Sequence, residues 1–141
     1  MSIQTKIALA SFLGLYATAG HGQNIGAALS LTYQQLQEYH ATNTGWRDTL
    51  TATGGKCVLV WDKAHTVQFA YFFLQGQVYR IQATGSQKDF AWVWRQVYEG
   101  SASKTGIDTW LDPDHHYRYR LTDNKQQGTS TLTVTDSRTN F

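Results

Sequence analysis

Apolar and polar residues alternate with a period of two along most of this chain, and two stretches of helical period interrupt the alternation. In the first stretch, Leu31 to His40, apolar residues recur at Tyr33, Leu36 and Tyr39 or His40. Thr32 and Gln35 stand at the spacing of a capping box, and Asn43-Thr44-Gly45 supplies the stop. The alternation then predicts strands over Trp46 to Thr53, Lys56 to Asp62, His65 to Leu74 and Gln77 to Thr84. The short connections Gly54-Gly55, Lys63-Ala64 and Gly76 favour an antiparallel meander. In the third strand both alternating sets are apolar, Val67, Phe69, Tyr71 and Phe73 on one side and Ala70, Phe72 and Leu74 on the other. That pattern predicts a central strand covered on both faces.

A second helix is predicted from Ser86 as N-cap, with Asp89 in the first turn and an apolar stripe of Phe90, Val93, Trp94, Val97 and Tyr98. After Gly100-Ser101-Ala102-Ser103, three strands follow near Gly106 to Leu111, His115 to Thr122 and Thr129 to Thr135, and the polar tail Asp136 to Phe141 is expected to fray. The fold class is therefore α+β, two helices packed on an antiparallel sheet in the order α-ββββ-α-βββ.

The first two dozen residues follow a different rule. Lys6 precedes the apolar run Ile7 to Leu15, and the small-residue segment Ala17-Thr18-Ala19-Gly20-His21-Gly22 comes after it, the layout of a secretory signal peptide. The run is shorter than the roughly 20 residues a membrane span needs. Residues 1–22 read as the signal and 23–141 as one secreted or periplasmic domain with no stable membrane insertion, and Gln23 to Leu29 trail from the cleavage point. A lone Cys57 excludes an intramolecular disulfide, and its strand context, Cys57-Val58-Leu59-Val60-Trp61, predicts a buried thiol. The formal net charge is +2, and Lys6 is the one charged residue of the signal, so the domain is nearly neutral. That balance argues against a nucleic-acid-binding protein.

The halves share a turn. Trp61-Asp62-Lys63-Ala64-His65 and Trp110-Leu111-Asp112-Pro113-Asp114-His115 both place Asp-x-x-His between strands. An internal duplication leaves such a pair, and so does the general preference of turns for Asp and Pro. The order of elements, with the Gly45-Trp46 pair after the first helix, resembles small secreted bacterial proteins that repeat a helix and a meander, the β-lactamase-inhibitor-like architecture. The resemblance implies a fold; it carries no functional residue with it.

Three sets of residues could carry chemistry. Asp62, His65, Asp112, Asp114, His115 and His116 have the donor atoms of a metal or acid–base site. They lack any metal-ligand spacing, and solvated turns account for them, so neither a metal, a cofactor nor a catalytic residue is assigned. In the strand after the second turn, Tyr117, Tyr119 and Leu121 alternate with His116, Arg118 and Arg120. The cationic side is either a ledge for an anion or acidic partner, or, more simply, the solvent side of an edge strand. Of the five tryptophans, Trp94 fits the second helix's core stripe, whereas Trp46, Trp92 and Trp110 are candidates for a binding surface together with His116, Arg118 and Arg120.

These features point to a non-enzymatic binding module whose partner is another protein or an envelope component. The alternative is a small hydrolase or nuclear-transport-factor-like enzyme using Asp and His in a pocket; convergence of the Asp and His residues would favour catalysis, an exposed aromatic patch a partner. The exported protein is expected to begin at Gln23 or Gly20, where small-x-small pairs precede the cut. Intact mass of exported material checks this, and a species retaining Met1 would overturn it.

Overall fold

A computed structural model describes residues 25–41, 45–62, 67–90, 93, 95, 97 and 102–139. The signal segment, residues 1–22, lies outside them. A 3-10 turn, Ile25–Ala28, opens the described chain and buries Ile25 and Ala28 rather than trailing in solvent. Gly26 permits this docking, since a Cβ there would sit 2.9 Å from the Tyr117 ring. Helix α1, Tyr33–Tyr39, follows with the capping box the sequence predicts: the Thr32 hydroxyl accepts from Gln35 N at 3.2 Å and the Gln35 side-chain oxygen accepts from Thr32 N at 2.9 Å.

Eight strands make one antiparallel sheet. They are β1 (Trp46–Leu50), β2 (Lys56–Asp62), β3 (Val67–Leu74), β4 (Gln77–Ser86), β5 (Ser103–Lys104), β6 (Thr109–Asp112), β7 (Tyr117–Asn124) and β8 (Thr129–Asp136), in spatial order β1-β2-β3-β4-β8-β7-β6-β5. Each half is thus a four-stranded meander, and the last strands of the two meanders pair with each other. Between β3 and β4 the turn residues Gln75 and Gly76 both have positive φ, 54° and 82°, the backbone a two-residue hairpin of this twist requires.

The core lies on one side of this sheet. Val58, Val60, Val67, Phe69, Tyr71, Ile81, Ala83, Tyr119, Leu132 and Val134 alternate inward from five strands, β2, β3, β4, β7 and β8, and pack with Leu36, Phe90, Val93 and Val97 in one cluster.

Several expectations change. Among the described residues one continuous α-helix is present, and the second half has four strands, not three: the two-residue β5 is too short to leave a period in the sequence. Ser86 ends β4 instead of opening a helix; an N-cap has extended backbone, so the strand runs through it. A 3-10 turn, Gln87–Asp89, comes next. Val93, Arg95 and Val97 are helical, with Val93 and Val97 fully buried as the predicted stripe requires, while the rest of that predicted helix, Trp92, Trp94 and Tyr98 included, lies outside the described residues. The tail does not fray through Thr139. Ser137 N donates to His116 O at 2.7 Å, Arg118 donates to the carbonyls of Ser137 and Thr139, and Arg138 clamps Asp136.

His40, at the end of α1, meets the sheet through a 2.7 Å hydrogen bond between its Nε2 and Tyr71 Oη. Burial lowers its pKa from 6.5 to about 4, against a smaller opposing pull from Asp62. Between those values the unfolded chain binds a proton that the native chain refuses. The stability that neutral His40 confers is therefore complete above pH 6.5 and lost as pH falls toward 4, by as much as about 3 kcal/mol. Urea melts across that range should show the loss, and His40→Gln should flatten the curve there. An unchanged slope would remove His40 as its cause.

Candidate functional site

Alternation along the strands turns every second side chain away from the core, and the register aligns these outward positions into rows across the sheet. One row runs Arg47, Leu59, Ala70, Gln82, Thr133, Arg120 and Thr109; the next runs Thr49, Cys57, Phe72, Arg80, Thr135, Arg118 and Leu111. Among the described residues of this second face Cys57 and Thr135 are buried, and the rest are half-buried or exposed. Ala70 and Phe72 are half-buried and Leu74 is 41% exposed, so β3 is central but covered on one side. Its second apolar set forms an open patch with Leu59 and with Trp61, which is 39% exposed. Uncovered apolar surface rimmed by polar groups marks an interaction site more often than a defect.

A bulge shapes the middle of the face. The register shifts between Phe72 and Phe73, so that Phe72 opposes Arg80 and Phe73 opposes Val78, leaving Tyr79 as the extra residue. The Arg80 guanidinium sits 4.2 Å from the Phe72 ring centroid and 5.5 Å from that of Tyr79. Contact with the two rings fixes its direction. Cys57, opposite Phe72, is 4% exposed, and burial pushes its thiol pKa up, with Arg80 opposing. A thiol in that state is an inert filler of the face, as its strand context predicts.

The two Asp-x-x-His turns do not converge. Asp62 pairs with Val67 and, 50 positions on, Asp112 pairs with Tyr117, so the two hairpins share one register, with connecting residues 63–66 and 113–116. Yet β2 and β6 are separated by β3, β4, β8 and β7, about 24 Å at the usual strand spacing. They also close at opposite ends of the sheet: Asp62 shares a row with Ser130 and Asp123, Asp112 with Asp136.

In the second turn Asp112 is fully buried, accepting from His115 N at 3.2 Å and lying 3.0 Å from His115 Nδ1. His115 stacks on Tyr117 with centroids 5.4 Å apart, and His116 closes the turn at φ 61°. This carboxylate is a structural cap of the turn, whereas Asp114, His115 and His116 are exposed to solvent. His65 lies outside the described residues. Among the described residues no three His, Cys, Asp or Glu side chains gather as a metal site.

The remaining predicted surface residues divide by strand parity. Arg118 and Arg120 face the open side, Arg120 exposed and Arg118 half-buried over the tail carbonyls. Their strand, β7, lies between β6 and β8, so protection of a sheet edge is not the reason for its charges. His116 sits in the turn. Trp110 is 6% exposed and belongs to the core, and Trp46 packs edge-on to Tyr33, 5.6 Å between centroids, on the helix side. Neither shares a surface with the two arginines. Trp92 lies outside the described residues. The residues sequence reasoning passed over are Arg47, Leu59, Trp61, Phe72 and Arg80. Strand parity carried the signal, since each falls on the same parity as Arg118 and Arg120 once the register is known.

A shallow cleft of about 490 Å³ at the β1–β2 hairpin is lined by Tyr33, Asp48, Thr49, Leu50, Gly54 and Lys56. Its polar groups are turned on one another: Tyr33 donates to both Asp48 oxygens, at 2.9 and 3.0 Å, and the Lys56 ammonium lies 3.5 Å above the Tyr33 ring. Desolvation and Asp48 both raise the Tyr33 pKa, which keeps the phenol a donor. No family model, curated protein or solved structure matches the chain.

Because Asp112 is buried and satisfied within its turn, Asp112→Ala should cost about 2 kcal/mol, whereas His115→Gln, at an exposed site, should cost less than about 1 kcal/mol. Added zinc should leave the melting temperature unchanged. A zinc-dependent rise abolished by His115→Gln would make the turn a metal site instead.

Proposed function

We propose that this chain is a non-enzymatic, secreted or periplasmic interaction module that docks a partner on the open face of its sheet. The observation that carries this reading is the partly exposed apolar second side of β2 and β3 among the described residues. Ala70, Phe72 and Leu74, with Leu59 and Trp61 from β2, form an apolar patch on a broad sheet surface. A protein that used this sheet only as a scaffold would gain by covering or polarising that side, since burying apolar area is worth about 25 cal/mol per Å². Trp, Tyr and Arg, the residue types that dominate binding hot spots, stand on or beside the same patch.

The catalytic alternative required the Asp and His residues to meet inside a pocket. Asp62 and Asp112 stand at opposite corners of the sheet, Asp112 is spent on its own turn, and the cleft beside β1 holds no histidine among its lining residues. The exported compartment follows from the signal-like segment alone. The two four-stranded meanders, with one matched hairpin in each, Asp62↔Val67 and Asp112↔Tyr117, support an internal duplication, and with it the likeness to repeated helix-plus-meander proteins.

A photo-crosslinker placed at Leu59 or Gln82 on the open face should trap a discrete partner from the source organism's envelope fraction. The same group at Gln34 on the exposed side of α1 should not. Trp61→Ser should weaken capture at least about tenfold, the usual cost of an anchor ring. Equal trapping from α1 and the sheet, or capture indifferent to Trp61, would remove the open face as the docking surface.

A further inference from the structure

Charge is sorted between the two sides of the sheet. Every arginine in the described strands, Arg47, Arg80, Arg118 and Arg120, has the parity of the open face. Every strand carboxylate, Asp48, Asp62, Asp112, Asp123 and Asp136, has the opposite parity. Four of them show where they go: Asp48 to Tyr33, Asp112 to its turn, Asp123 to the Ser130 hydroxyl at 2.6 Å, and Asp136 to Arg138. Arg138 holds the Asp136 carboxyl at about 2, well below its usual value, chiefly through their hydrogen bonds. The lysines of the strands, Lys56 and Lys104, also have the core-side parity, where they lie over Tyr33 and Trp110. Thus the open face carries arginine and no carboxylate among the described residues, in a chain whose formal charge is only +2.

We infer that the partner of the open face is an acidic protein surface, one that brings carboxylates to Arg80 and Arg120 and an apolar anchor to the patch between Trp61 and Phe72; this rests on the docking reading above. Arginine suits that task. Its planar fork takes a carboxylate in a bidentate grip, and it sheds water more readily than an ammonium.

The arrangement disfavours other occupants. A second copy seated face to face would set arginine against a surface with no carboxylate to meet it, and like charges across an interface cost several kcal/mol. A linear polyanion wants a continuous cationic track. Here the charges are four and spaced, Arg118 is engaged with two backbone carbonyls, and the half of the face nearest β2 and β3 is apolar. Such a mixture of arginine, aromatic and aliphatic groups is the composition of a protein interface core and its rim.

The test titrates the folded domain, its backbone amides followed by NMR, with four probes: a short peptide alternating Glu with Phe and Tyr, the same peptide with Lys for Glu, oligothymidylate, and polygalacturonate. The acidic peptide should shift amides of β3, β4, β8 and β7, and the lysine peptide should not. Arg47→Glu and Arg120→Glu, both at exposed positions that leave the core untouched, should each weaken the acidic peptide about fivefold to tenfold. Arg80→Gln should do the same, with an unchanged melting curve confirming that the stack is not needed for folding.

Equal binding of the acidic and lysine peptides on these strands would overturn the acidic partner while leaving the docking face in place. Shifts confined to other elements would overturn both. Tighter binding of oligothymidylate or polygalacturonate at the same residues would replace the protein partner with a polyanion, and silence of the acidic peptide at about 1 mM, the weak end of specific recognition, would reject the inference.

Discussion

The pairing of β4 with β8 is the contact on which the rest of this structure depends. Two four-stranded meanders could each fold a helix against one side and remain separate bodies. Seven antiparallel pairs from Arg80↔Thr135 to Ser86↔Thr129 fuse them instead, with Ile81, Ala83, Leu132 and Val134 meeting on the core side and Thr84 and Thr131 sharing a 2.9 Å hydroxyl contact on the other. Because antiparallel pairing keeps the parity of every strand in step, that one seam aligns the pleats of both halves. All inward positions then feed one core, and all outward positions make one continuous face.

That division explains why similar residues do such different things here. Trp110 and Trp61 differ only in parity, and one is buried while the other is 39% exposed. Asp112 and Arg118 occupy neighbouring strands on opposite parities: the carboxylate is sealed beneath its turn, the guanidinium lies over the tail. The core side spends its polar groups internally, on Tyr33–Asp48, His40–Tyr71 and Ser130–Asp123. A buried polar group must be satisfied where it stands. On the open side Arg80 departs from that rule: its buried Nε has no hydrogen-bond partner among the described residues, and the rings of Phe72 and Tyr79 lie against its guanidinium instead.

The two corner hairpins show how a repeated sequence pattern can be structural. Asp62 and Asp112 sit at matching registers, and the second caps its turn through His115 N and faces His115 Nδ1. Asp at the first position of such a turn accepts from the backbone two or three residues on, which holds the chain where φ must become positive, as it does at His116. Repetition of the pattern therefore reflects two equivalent bends, placed far apart by the symmetry of the sheet.

The sequence by itself determined the local features, because each depends on residues close together in the chain. The Thr32–Gln35 capping box, the Gln75-Gly76 hairpin, the alternation of Tyr119 inward against Arg118 and Arg120 outward, and the burial of Cys57 are all legible from spacing and residue type. What tertiary structure alone decided is what lies across from each strand. Two apolar sets on β3 have the same sequence signature whether the second is covered by another layer or left open, and Arg120 has the same signature on an edge strand as on the interior strand it occupies. Periodicity reports which residues share a side. Which side faces the core, and which strand stands beside it, is set by the long-range β4–β8 pairing, and no local pattern encodes it.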